Sequence, residues 1–206
     1  VADRSRSITF LNQLKMGLTI HYSGKLRNPA NLPSLIEEAA EISQTMQWPY
    51  EVLERTPDVP VGGILIAPEG SEPLWLTFHE EGFMCNPMLY AYVKEVEGKG
   101  IPQDAEQWLF TKTQYAGVEV HMALIRLMRH LSQKYFEKFE VHDESQYWET
   151  NDEDLCRKRF GEYNLIIGMV GDALDSLKID PTETSESIAD KIEKLLHERF
   201  GMKRSN

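Results

Sequence analysis

The six histidines are the side chains best suited to acid–base or metal chemistry near neutral pH, and His121 is the first to weigh. Val118, Leu124, Ile125 and Met128 surround it at helical spacing, which sets the imidazole on or beside an apolar face. A buried ring next to a carboxylate can serve as a ligand or general base; without one it is a packed histidine donating to a single carbonyl. Further along, His142-Asp143-Glu144 precede Tyr147, Trp148 and Glu149. If a strand ending at Val141 lies beside one ending at Thr111, His121 meets Asp143, Glu144 and Glu149 at one sheet edge. One imidazole with carboxylates suits a divalent ion and metal-assisted hydrolysis. Acidic residues ahead of a helix also stabilise its positive end with no ligand at all.

A second group is Lys112-Thr113-Gln114-Tyr115, where a strand gives way to a helix. Free backbone N–H groups at such a junction can hold an anion, and Lys112 would add charge. The plain alternative is a connecting loop whose Thr and Gln side chains cap the helix. His21 and His79 alternate with apolar positions on their strands. If those strands pair, the two rings share a face with Thr19, Trp75 and Thr77, a setting for a ligand groove or for packing helices. Gly98-Lys99-Gly100 is read as a solvated loop, because no strand and helix flank it as a phosphate cradle requires. No Walker loop, dinucleotide-binding turn, zinc-protease helix, nucleophile elbow or EF-hand spacing occurs.

These residues depend on elements legible from periodicity. Leu18, Ile20 and Tyr22 alternate with polar neighbours as a half-buried strand. Leu32, Leu35, Ile36, Ala39, Ile42 and Met46 follow at helical spacing, opened at Asn28-Pro29 or Asn31 and closed at Pro49. Tyr50–Glu54 reads as a short strand, Thr56–Gly63 as a loop with paired glycines, and Ile64–Ala67 as a strand. Leu74–Phe78 leads through the turn His79-Glu80-Glu81-Gly82 to a returning arm at Phe83–Cys85. Tyr90–Val96 and Trp108–Thr111 are expected as strands. A helix then carries Val120, Leu124, Leu127, Leu131 and Tyr135, and Phe139 and Val141 mark one more strand. Thr150 or Asn151, with Glu153, is placed to cap a helix that reaches Asp180-Pro181 and contains Gly161, Gly168 and Gly171. A last helix spans about Ser185 to Phe200.

The expected fold is α+β: an antiparallel or mixed sheet of about six or seven strands, helices mainly on one side, and a helical C-terminal portion from about residue 151. Residues 1–15 are expected as a peripheral extension, with Met16 as a candidate start, and 16–206 as one domain.

The 206 residues carry a net charge of −11, with 41% hydrophobic and 27% charged side chains. That balance supports a folded core, and the negative field disfavours nucleic acid and membrane surfaces. Arg157-Lys158-Arg159, the densest basic stretch, follows Asp152, Glu153 and Asp154 and fits pairing along a helix instead. The two cysteines, Cys85 and Cys156, make no metal spacing and fit free thiols in a reducing cytoplasm. The expectation is a cytoplasmic protein that binds a protein partner or small molecule without catalysis, with cofactors left open. The alternative is the metal-dependent hydrolase of His121, Asp143, Glu144 and Glu149. The C-terminal helical stripes must bury against their own domain or against a second copy, as a homodimer.

Overall fold

The computed structural model describes residues 18–97, 107–177 and 183–200. Residues 17–160 form one compact unit; residues from 161 onward belong to another. The described residues are mixed α+β, with six strands in two antiparallel sheets.

The first sheet has the order β5-β1-β6, with β1 (Thr19–Leu26), β5 (Leu109–Lys112) and β6 (Phe136–Asp143). Ile20, Tyr22 and Leu26 of β1 are fully buried, and sealing such side chains from water contributes roughly 1.5–3 kcal/mol each. The second sheet has the order β2-β3-β4, with β2 (Tyr50–Leu53), β3 (Val61–Ile66) and β4 (Leu74–His79). Six strands are therefore split between two sheets where one sheet was expected. The turn at Gly82 (φ 85°) forms as its glycine predicts, and the following residues bridge the sheets. Met84 N–H donates to Gly24 and Leu26 N–H to Gly82, both at 2.9 Å, while Cys85 N–H donates to Thr77 at 3.0 Å.

One phenol adds a second link. Tyr22 Oη accepts from Trp75 N–H at 2.9 Å and lies 3.2 Å from Thr111 Oγ1, which itself donates to Pro73 O at 3.1 Å. With the Thr111 proton used there, Tyr22 is the donor to Thr111. Burial pushes this phenol above its ordinary range, the two hydrogen bonds notwithstanding.

Helix α1 (Leu32–Thr45) follows a short 3-10 turn whose Ala30 N–H bonds Asn28 Oδ1 at 3.0 Å. Its buried Leu32, Leu35 and Ala39 pack toward β3, as the spacing predicts. Two expectations are overturned nearby. The paired glycines lie inside β3 rather than in a loop, because a Cβ on Gly63 would stand 2.1 Å from Leu76 O; close strand approach, not a turn, requires glycine here.

Tyr90–Val96 is also not a strand but part of helix α2 (Pro87–Glu97). Asn86 Oδ1 accepts from Met88 N–H and Leu89 N–H at 2.9 and 3.2 Å, so Asn86-Pro87 is a cap followed by a first-turn proline. Tyr90 then packs on Val61 and Cys85.

Helix α3 (Val118–Tyr135) buries His121, Leu124, Ile125, Met128 and Leu131. A one-turn α4 (Tyr147–Thr150) ends at Asn151 in the left-handed region (φ 55°), and α5 (Glu153–Asp175) begins directly after. The cap of α5 is Asp152, whose Oδ1 accepts from Leu155 N–H at 2.9 Å, rather than Thr150 or Asn151. The helix runs unbroken through its three glycines. Helix α6 (Ser185–Phe200) has the predicted bounds. The N-terminal extension, Met16, Gly98-Lys99-Gly100 and Asp180-Pro181 lie outside the described residues.

Candidate functional site

The end of β5, the first turns of α3 and the end of β6 converge beside the start of β1. His121 reaches back from α3 to Thr113, just past β5: Nδ1 lies 2.6 Å from Thr113 Oγ1. On its other side, Nε2 lies 2.9 Å from Ser145 Oγ and 3.2 Å from Asp143 Oδ1. Ser145 Oγ donates to Asp143 Oδ2 at 2.8 Å. With its one proton spent there, it accepts from the ring, so Nε2 carries hydrogen.

Asp143 also accepts Ser145 N–H at 2.9 Å and Trp148 N–H at 3.0 Å, an Asx turn that fixes the chain after β6. Burial alone would raise this carboxyl, but the bonds from His121, Ser145 and Trp148 outweigh it and hold it below the usual range.

Phe160 meets the His121 ring edge-on at 5.2 Å, and the Cys156 thiol bonds Ser145 Oγ at 3.6 Å. Thr113, His121 and Ser145 are each 0% exposed and Asp143 1%. A Ser-His-Asp set thus exists, but not in relay geometry. A relay needs acid and nucleophile on opposite ring nitrogens, whereas Asp143 and Ser145 share one. Sealed from solvent and mutually satisfied, these groups join four chain segments and present no face to a substrate.

The other candidates scatter. Glu144 Oε2 accepts Thr19 N–H at 2.9 Å and Glu149 Oε1 accepts Asp143 N–H at 3.2 Å, so both carboxylates serve the backbone. Among the described residues, no group of three or more His, Cys, Asp or Glu side chains is arranged to hold a metal ion. Thr113 enters the His121 cluster, while Lys112 N–H bonds Glu72 Oε2 at 3.2 Å and Tyr115 is exposed. Gly117 leads into α3 with no side-chain cap.

His21 and His79 stand in different sheets. His21 pairs across the strands with His142 and Phe110; His79 is buried beside Tyr90, its Nδ1 without a partner among the described residues. Ser145 and Cys156 were not foreseen. The Asp143-x-Ser145 spacing signals an Asx turn, but nothing local signals Cys156.

A different feature is open to solvent. Leu32, Pro33 and Ile36 of α1 face Val52, Leu53 and Gly62 across an apolar groove of about 420 Å³. Gln44 Nε2 donates to Tyr50 Oη at 2.7 Å, which sets Tyr50, and by alternation Val52, on the α1 side of β2. Val52 is 44% exposed. Compared with known proteins, the chain matches no family model, no curated protein and no solved structure.

Proposed function

We propose that this chain is a non-catalytic binding module for a protein partner, seated in the groove between α1 and the β2–β3 pair. One observation carries the reading: the groove is concave, walled mainly by apolar side chains, and of the size that ligand sites take, roughly 300–1,000 Å³. The side chains with catalytic potential point the other way in chemistry, since His121, Asp143 and Ser145 satisfy one another out of reach of solvent.

The net charge of −11 supports a partner other than nucleic acid. Two buried free thiols are in keeping with a reducing, cytoplasmic setting. No described helix is long and apolar enough to cross a membrane.

The test is selection of random displayed peptides on the full chain. Peptides that are enriched, and lose binding when Ile36 becomes Asp, support the reading. Enrichment indifferent to Ile36→Asp, in a variant that keeps its far-UV spectrum, sinks it.

Self-association is a second reading. Leu165 and Met169 of α5, one turn apart on the same face, are 66% and 49% exposed, and a paired helix would cover them. A dimer would sediment near twice 23.8 kDa; a monomer at micromolar concentration removes this reading.

A further inference from the structure

The second sheet ends at β2, and the register shows which of its backbone groups remain open. Pairing runs Tyr50 with Ile66, Glu51 with Leu65, Val52 with Ile64 and Leu53 with Gly63. Just outside, Ala67 N–H donates to Pro49 O at 2.8 Å. Antiparallel pairs alternate between hydrogen-bonded and non-bonded, so Pro49, Glu51 and Leu53 direct their polar groups toward β3. Tyr50 and Val52 direct N–H and C=O away from the sheet, and among the described residues no backbone bond outside the sheet satisfies them. Such an edge is a template for another strand.

The groove lies beside that edge, and Val52 belongs to both. Arg55 lines the groove too, but its guanidinium donates to Phe78 O and His79 O at 3.5 and 3.0 Å. The rest of the rim is acidic: Glu37 and Glu54 line the groove, and Glu51 stands on the opposite face of β2 by alternation. All three are exposed, and none has a cationic partner in an ion pair among the described residues.

Resting on the groove as a protein-binding site, we infer that β2 receives an extended, basic segment of a partner protein as a fourth strand of this sheet. Alternate apolar side chains of that segment enter the groove against Ile36 and Val52. Lysine or arginine at its remaining positions and ends meets Glu51, Glu37 and Glu54. Main-chain bonds to Tyr50 and Val52 supply affinity, and the groove and carboxylates supply selectivity. A second copy of this chain suits the edge less well, because the antiparallel register that sets Tyr50 against Val52 places Glu51 directly opposite its own counterpart.

The experiment uses the full chain and a synthetic, N-acetylated peptide of alternating valine and lysine. Amide hydrogen exchange is followed by NMR. Binding is expected to slow exchange at Tyr50 and Val52 by at least tenfold at saturation, because those two amides gain acceptors. The same peptide with glutamate in place of lysine is expected to bind at least tenfold more weakly. The double substitution Glu37→Lys with Glu54→Lys, at exposed positions that leave folding intact, should weaken the lysine peptide to a similar extent.

Equal binding of the two peptides overturns the charge assignment, and binding with unchanged exchange at Tyr50 and Val52 overturns strand addition. Displayed peptides that still need Ile36 but leave those amides unprotected would sink strand addition while the groove reading stands. Failure of every peptide to respond to Ile36→Asp removes the groove reading itself.

Discussion

Ser145 Oγ sits 2.9 Å from His121 Nε2, on the very nitrogen that Asp143 Oδ1 approaches at 3.2 Å. Because acid and hydroxyl converge on one atom, the imidazole is a clamp between the end of β6 and the start of α3. His121→Ala leaves a buried carboxylate, a serine and a threonine short of a partner, and should destabilise the fold by about 3–5 kcal/mol. Urea denaturation measures this. A loss below about 1 kcal/mol would mean the groups find other partners easily.

Asp143 and Glu38 should dominate the acid limb of stability. At Glu38, burial acts to raise the carboxyl, but hydrogen bonds from Lys134, Tyr135 and His130 bring it down to about 2. Both carboxyls are lowered in the folded chain, so their stabilisation is complete above the unfolded values. It fades as pH falls, from about 4.5 toward 2 for Glu38 and below the ordinary aspartate value for Asp143. Stability measured from pH 6 to pH 2 should fall less steeply in Asp143→Asn and in Glu38→Gln than in the parent. Parallel curves would refute the assignment.

Gly63 and Gly168 should respond oppositely to alanine. The Cβ at Gly63 collides with backbone at 2.1 Å, whereas at Gly168 it meets nothing within 4 Å. Gly63→Ala is expected to lower stability by about 2 kcal/mol or more. Gly168→Ala, in mid-helix, is expected to raise the helix's own stability by roughly 0.5–1 kcal/mol. Thermal melts followed by circular dichroism test both, and stabilisation by Gly63→Ala would contradict the strand spacing.

The two thiols should be inert until the protein opens. Burial pushes Cys85 up to about 11, against a hydrogen bond from Gln107 that works to lower it. Burial raises Cys156 as well. Reaction with a thiol reagent at pH 8 should be slow in the native protein and fast in denaturant. Rapid native labelling of either would show that its cover is loose.

Polarity alternation located β1, β4 and β6, and helical spacing located α1, α3 and α6. Helices α1 and α3 bury their apolar faces as expected. But β1 and β4 are buried on both faces, Thr19, Ser23, Thr77 and His79 included, so alternation there reflects residue type and not a half-buried strand. It failed at Tyr90–Val96, where Tyr90 and Tyr92 mimic a strand's alternation over too few residues. Asn86-Pro87 reads in one dimension as the break that ends the arm at Phe83–Cys85, whereas in the fold it caps the helix that follows. It failed again at Gly62-Gly63, since a glycine demanded by strand proximity looks in one dimension like a glycine demanded by a turn. The His121–Asp143 contact was foreseeable as a convergence of strand ends. That Ser145 joins on the same nitrogen depends on the turn after β6, and that Phe160 and Cys156 close over it depends on where the first two turns of α5 begin. The open edge of β2 is a matter of which strands lack neighbours, and a single sequence carries no such information.

The phenol of Tyr22 ties the fates of the two sheets together. Its oxygen is an acceptor for a strand of one and a donor to a strand of the other, so neither layer can peel away without stranding a polar atom in oil. Native-state fluctuations should therefore expose both layers in a single concerted opening, with the Trp75 amide as slow to exchange as the deepest protons of β1.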